Sequence, residues 1–211
     1  MGLLSLLQIR TEVDASMGNR TGVLDPRLTT WINLAYNDIA SGIEFKELDG
    51  ESVVPTVVGQ ASYAGPVNPL VIQMVRDENN QNLLTWVPEA EYFRLNRATN
   101  GQVQRWTRRG TTIRVWPPPS AIVNLTVFYK ITPTPLAADG DLTVLPPYTD
   151  NGLIFLATAY GFLAVNEEAR ALVWLNRAIN YLGSRLTNQD FSFLLGGLAK
   201  TQPTEPQPAG V

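Results

Sequence analysis

Hydrophobic and polar positions change their spacing three times along the chain, and each change marks a different kind of element. Residues 3–16 carry Leu3, Leu7 and Val13 near helical spacing, with Ser5 and Gln8 placed as a capping box, and predict a helix. Gly18, Asn19 and Gly22 break it. Asp25 and Pro26 predict a second start, because a carboxylate caps free amides and proline loses nothing at the first helical position. Leu28, Trp31, Ile32, Ala35 and Ile39 follow at i, i+3, i+4, i+7 and i+11, and Gly42 sits where a helix closes.

From about residue 45 to residue 145 the helical period gives way to strand patterns. Val53-Val54, Val57-Val58 and Tyr63 come first. The runs 70–75 and 83–87 flank the turn Asp77-Glu78-Asn79-Asn80 and predict a hairpin. Runs 103–106 and 113–116 alternate apolar with polar around Arg109-Gly110, and 122–131 forms a last long strand. Helical spacing returns at Asp150 with a stripe of Leu153, Ile154, Ala157, Tyr160, Gly161 and Ala164. After Asn166, with Glu167 and Glu168 favourable to the helix dipole, Leu172, Leu175, Ile179, Leu182 and Leu186 form an apolar seam.

The resulting expectation is an α+β fold. Residues 1–44 and 146–190 form a helical bundle, and 45–145 form an inserted antiparallel β-sandwich or barrel. Residues 191–211 form an extended C-terminal docking tail. There Phe191, Phe193, Leu194, Leu195 and Leu198 surround Gly196-Gly197 and precede a Pro-rich end. These five hydrophobes are too few for a core of their own, so they fold back or dock on another surface.

Composition narrows the chemistry. Across 211 residues there is no cysteine and no histidine, which excludes disulfide frameworks, His/Cys zinc sites and Ser-His-Asp or Cys-His catalysis within the chain. No signal peptide or myristoylation pattern opens the sequence, and the run 153–165 is too short to span a bilayer, so no membrane is expected. Asp77-Glu78 and Glu167-Glu168 read as solvated turn and helix-start acids. Asp139-Gly140-Asp141 lacks the later ligands of a calcium loop, and no glycine-rich phosphate loop follows a strand, so no cofactor and no metal are expected.

The net charge is −3, which disfavours a general nucleic-acid coat. Of the 16 basic residues all but Lys46, Lys130 and Lys200 are arginine, the cation better suited to protein interfaces. Residues 76–114 hold seven arginines against four acids. Arg105, Trp106, Arg108 and Arg109 interleave cation and ring in the manner of single-strand grooves. The plainer reading is cation–π packing and ion pairs on a sheet face or at a subunit boundary.

Several segments, taken in order, resemble the head-to-tail adaptor (connector) proteins of tailed bacteriophages, the group that includes podophage tail tubular protein A. They are the N-terminal helix, Leu28 to Ala35, Val58-Gly59-Gln60-Ala61-Ser62-Tyr63, Gly110 to Pro119, Leu125 to Tyr129, and Leu145-Pro146 before the returning helices. The family often has Leu-Pro after the tyrosine, where this chain has Ala64-Gly65-Pro66.

The resemblance implies a structural virion protein and no enzyme. It would form a dodecameric ring at the neck, built in the host cytoplasm. Its partners would be further copies of itself, the portal, the downstream tail or nozzle protein, and double-stranded DNA crossing the lumen without sequence readout. On that reading Phe191, Phe193, Leu194, Leu195 and Leu198 meet the portal or a neighbouring subunit, and Arg105, Arg108, Arg109 and Arg114 are channel or subunit-interface arginines. The rival readings are a tail-associated carbohydrate- or receptor-binding β module, suggested by Trp86, Trp106 and Trp116, and a two-carboxylate hydrolase.

Overall fold

Ser5 and Gln8 close the predicted capping box. In the computed structural model, which describes residues 2–19, 25–96 and 99–186, Ser5 N donates to Gln8 Oε1 at 2.8 Å and Gln8 N donates to Ser5 Oγ at 3.4 Å. Among the described residues the helices are α1 Leu6–Ser16, α2 Asp25–Gly42, α3 Glu89–Tyr92, α4 Asp150–Ala164 and α5 Glu168–Arg185. The strands are β1 Asp49–Pro55, β2 Ser62–Ala64, β3 Pro69–Asp77, β4 Asn82–Leu83, β5 Thr85–Trp86, β6 Arg105–Arg109, β7 Thr112–Trp116 and β8 Asn124–Ile131. The fold is α+β. The chain divides into two compact units, one made by Met1–Glu47 with Pro133–Val211 and the other by Leu48–Thr132.

In the helical unit α1 starts three residues later than its pattern suggests, because the preceding backbone is engaged sideways. Gly2, Leu6 and Leu7 donate their N–H groups to the carbonyls of Thr143, Asp141 and Asp139. The Asp150 carboxylate accepts from Leu3 N and Leu4 N at 2.8 and 3.1 Å. All five members of the α2 stripe are buried. Asn33 on that helix exchanges two hydrogen bonds with the backbone of Leu136, and Tyr36 accepts from Val144 N at 2.9 Å.

Helix α4 packs against α1, α2 and α5. It is therefore buried over most of its circumference, Leu156, Ala159 and Phe162 included, while Ala164 of the expected stripe is exposed. On α5 the buried positions are Ala171, Leu175, Ala178 and Leu182, and Leu172 is 45% exposed. The seam is thus rotated by one residue at two of its steps. Small alanines let α5 approach α4 closely, and an added Cβ on Gly152 would lie 2.5 Å from a Leu182 methyl.

The β unit holds two four-stranded sheets, ordered β1-β8-β3-β4 and β2-β7-β6-β5. Residues from both enter one core, with Val75, Leu125 and Val127 from the first and Tyr63, Trp106 and Ile113 from the second. The sheets do not close on each other, so the barrel alternative does not hold. Nor is the second sheet wholly antiparallel, because β5 runs parallel to β6. The expected strand 83–87 is split at Leu84, whose 6% exposed side chain turns into the core. Before it the chain pairs with β3, and after it Thr85 and Val87 donate to Gln104 and Trp106 in the other sheet.

Asp77 also departs from the solvated role expected of it. It is fully buried, and its carboxylate accepts from Asn79 N, Asn80 N and Asn80 Nδ2 at 3.0, 3.2 and 2.7 Å. A buried carboxylate folds the turn around itself, as the short side chain of an Asx turn allows.

Candidate functional site

Alternation along the β6–β7 hairpin decides where the candidate arginines stand. Gly110, at φ +59°, supplies the left-handed residue that the tight connection needs. The register pairs Arg105 with Trp116, Thr107 with Arg114 and Arg109 with Thr112, so Arg105, Arg109 and Arg114 share the outer face of the sheet. Arg108 pairs with Ile113 on the opposite face and donates from Nε to the Gly110 carbonyl at 2.7 Å. Three of the four candidates are brought together, and the fourth is not.

A short cover lies over that outer face. Pro88 opens α3, and Glu89 and Glu91 in its first turn reach the two ends of β6. Arg109 Nε lies 3.2 Å from Glu89 Oε1, and an Arg105 guanidinium nitrogen lies 3.3 Å from Glu91 Oε1. Tyr92, 1% exposed, donates its hydroxyl to the Val115 carbonyl at 3.2 Å. Trp116 Nε1 donates to the Asn96 carbonyl at 2.6 Å. Arg109 and Arg114 stand 5.9 and 5.4 Å from the centre of the Phe93 ring, and Arg105 stands 5.5 Å from that of Trp116.

These contacts set what the cluster can do. The ion-paired side chains remain 38–59% exposed, so each pair contributes at most about 1 kcal/mol. A guanidinium over an exposed ring adds a similar ~0.5–1 kcal/mol. Two of the cations are matched by acids, which leaves too little free charge to grip phosphates strongly. What remains is a flat, half-polar surface of arginine and aromatic rings, the residue types that recur at protein contacts. In the sequence Glu89 and Glu91 stand out only as charges, whereas Pro88 followed by acids at the first and third positions is the signal of a helix start.

Other candidates separate. Phe191, Phe193, Leu194, Leu195 and Leu198 lie outside the described residues. Of the three tryptophans, Trp106 is 3% exposed and belongs to the core, Trp116 is held by Arg105 and Asn96, and Trp86 is 57% exposed on an edge strand. Asp139 pairs with Arg10 at 3.2 Å, and Asp141 accepts from Ala137 N and Ala138 N. An open groove of about 540 Å³ in the helical unit is lined by Met17, Phe162, Arg170, Val173, Trp174 and Arg177 among others, with no carboxylate in its wall.

The family model of the SU10 adaptor protein, which describes phage head-to-tail adaptors, matches residues 4–197. The chain belongs to this family. No curated protein matches it. An adaptor of this kind is a structural component of the virion neck and interacts with other head and tail components. Among the described residues of this adaptor no helix is long and apolar enough to cross a membrane. Its arginine face, stacked on rings and half neutralised by α3, therefore belongs to a protein whose work is contact with other proteins.

Proposed function

We propose that this adaptor assembles as a ring of twelve copies beneath the portal, continues the channel toward the downstream tail or nozzle protein, and lets duplex DNA pass without reading its sequence. The observation that carries the reading is the family match over residues 4–197. The helices from both chain ends form a bundle, the β unit is a sandwich inserted between them, and assembly takes place in the host cytoplasm. A protein of net charge −3 suits such a passage, since a strongly basic lumen would hold phosphates and slow the duplex.

Arg105, Arg109 and Arg114 serve a subunit boundary in this reading rather than the lumen. Phe191, Phe193, Leu194, Leu195 and Leu198 dock on the portal or on a neighbouring subunit. A chain truncated after Leu186 is expected to fold and melt as the full chain does and yet fail to join filled heads to tails. Undiminished joining would overturn the docking role. The ring itself is read from mass: the purified chain is expected as a monomer that becomes a ring of twelve on purified portal, and a monomer in both conditions sinks the proposal.

A further inference from the structure

The inner faces of the two sheets share one core, so their outer faces look in opposite directions. Segment 88–96 covers much of the β2-β7-β6-β5 face, as described above. On the β1-β8-β3-β4 face the register places Val53, Val71, Met74 and Leu83 on neighbouring strands, flanking Thr126, Phe128 and Lys130 of β8 or Arg76 of β3. They are 56, 48, 43 and 64% exposed. Four large aliphatic side chains gathered on one face make a patch, which single scattered hydrophobes do not.

The charges left over after internal pairing differ between the two faces. On the β1-β8-β3-β4 face, where Thr126 and Lys130 of the central strand are buried between their neighbours, Asp49 is matched by Lys130 at 2.5 Å and Arg76 by Glu78 at 3.8 Å. Glu51 is left, with no ion pair among the described residues. On the covered face Glu89 and Glu91 are matched by Arg109 and Arg105. Arg94 and Arg114 are left without an acid among the described residues, and Arg114 stands over Phe93, itself 47% exposed.

We propose that the β1-β8-β3-β4 face of one copy packs against the Arg94, Arg114 and Phe93 side of the next copy. The proposal rests on the ring reading above and names the surfaces that make it. Because the two surfaces lie on opposite sides of the same unit, the contact is heterologous: it repeats from copy to copy instead of stopping at a pair, as the ring reading requires. An aliphatic patch meeting arginine and an aromatic ring, with one spare carboxylate facing two spare guanidiniums, has the make-up of a protein contact.

The absence of cysteine from the whole chain makes the test clean. Full-length Val71→Cys and Arg94→Cys chains are assembled, alone or mixed, under mild oxidation. The mixture is expected to give on the order of tenfold more linked dimer than either chain alone, because a disulfide forms only where the two Cα atoms come within about 7 Å. Glu51→Arg is expected to weaken assembly, and adding Arg94→Glu to the same chain is expected to restore it. Linking within a single-cysteine population that equals or exceeds that of the mixture overturns the proposal, because it marks a two-fold contact. Rings formed by the wild type, with neither linking in the cysteine mixture nor rescue in the charge-swapped chain, also overturn it and leave the ring reading standing. A wild-type chain that stays monomeric both alone and on the portal overturns both.

Discussion

Tyr63 holds a loop to itself with a single hydroxyl. The oxygen accepts from Val57 N at 3.1 Å and donates toward the carbonyls of Val57 and Gln60, at 3.1 and 2.6 Å. Gln60 Nε2 donates to Ser62 O at 2.6 Å, and Gly59 takes φ +77°. The Gly-Gln-x-x-Tyr run that marked the family resemblance is thus a closed turn between β1 and β2. Tyr63→Phe should cost about 0.5–1.5 kcal/mol, since it removes the part-buried hydrogen bonds of the hydroxyl while keeping the ring in the core. Urea unfolding measures the cost, and faster amide exchange confined to residues 57–60 would place it there.

Asp141 permits a pH prediction of definite sign. The backbone N–H groups of Ala137 and Ala138 favour its anion and hold the carboxyl below its ordinary value. A depressed folded value means stability that is present above the unfolded carboxylate range and lost as pH falls through the folded value. Asp141→Asn should therefore melt below the wild type at neutral pH, and the two melting curves should converge in acid. A gap independent of pH would show that the side chain's shape matters and its charge does not.

At the level of elements, the close approach of α4 and α5 is the contact most exposed to substitution. Gly152 has Leu182 where a side chain would go, with the nearest three carbons at 2.5, 2.8 and 3.3 Å from an ideal Cβ. Leu182 is fully buried and has little room to retreat. Gly152→Val should destabilise by roughly 1–3 kcal/mol through overpacking, against a gain of only a few tenths from helix propensity. Thermal melting with Gly152→Ala as an intermediate step reads the trend. A valine variant as stable as wild type would mean that the helices can separate without loss.

The same contact explains which parts of the fold could be read from the sequence and which could not. Helix α2 was legible because its large side chains coincide with its buried side. On α5 they do not. Ala171 and Ala178 face inward at spacings that suit the helix as well as Leu172 and Ile179 do, and periodicity weighted by size picks the larger residues. The split at Leu84 was hidden for a different reason: an unbroken apolar run reads as one strand whichever sheet each half joins. Among the site residues, alternation alone separates Arg108 from Arg105 and Arg109. The acids that meet those arginines come from a four-residue helix too short to leave a period.

For the whole molecule, the way the β unit is spliced into the helical one allows a test of their independence. Its first strand and its last lie side by side and antiparallel, with Asp49 opposite Lys130. The chain therefore enters and leaves the β unit at neighbouring points, since opposed Cα atoms in such a pair stand about 4.5–5.5 Å apart. A gap that narrow can be closed by a tight turn of a few residues. Each unit also has its own buried side chains, Ile9, Ile32, Ile39 and Leu156 in the helical one and the shared cluster of the two sheets in the other. Joining Glu47 to Pro133 through a short Gly-Asn linker should thus leave a chain that is still helical and melts cooperatively. Circular dichroism and calorimetry decide it, and a non-cooperative melt would mean that the helical core depends on the insert. If the shortened chain folds but no longer forms rings on the portal while keeping its affinity for it, the lateral contacts reside in the β unit and the portal contact in the helical one.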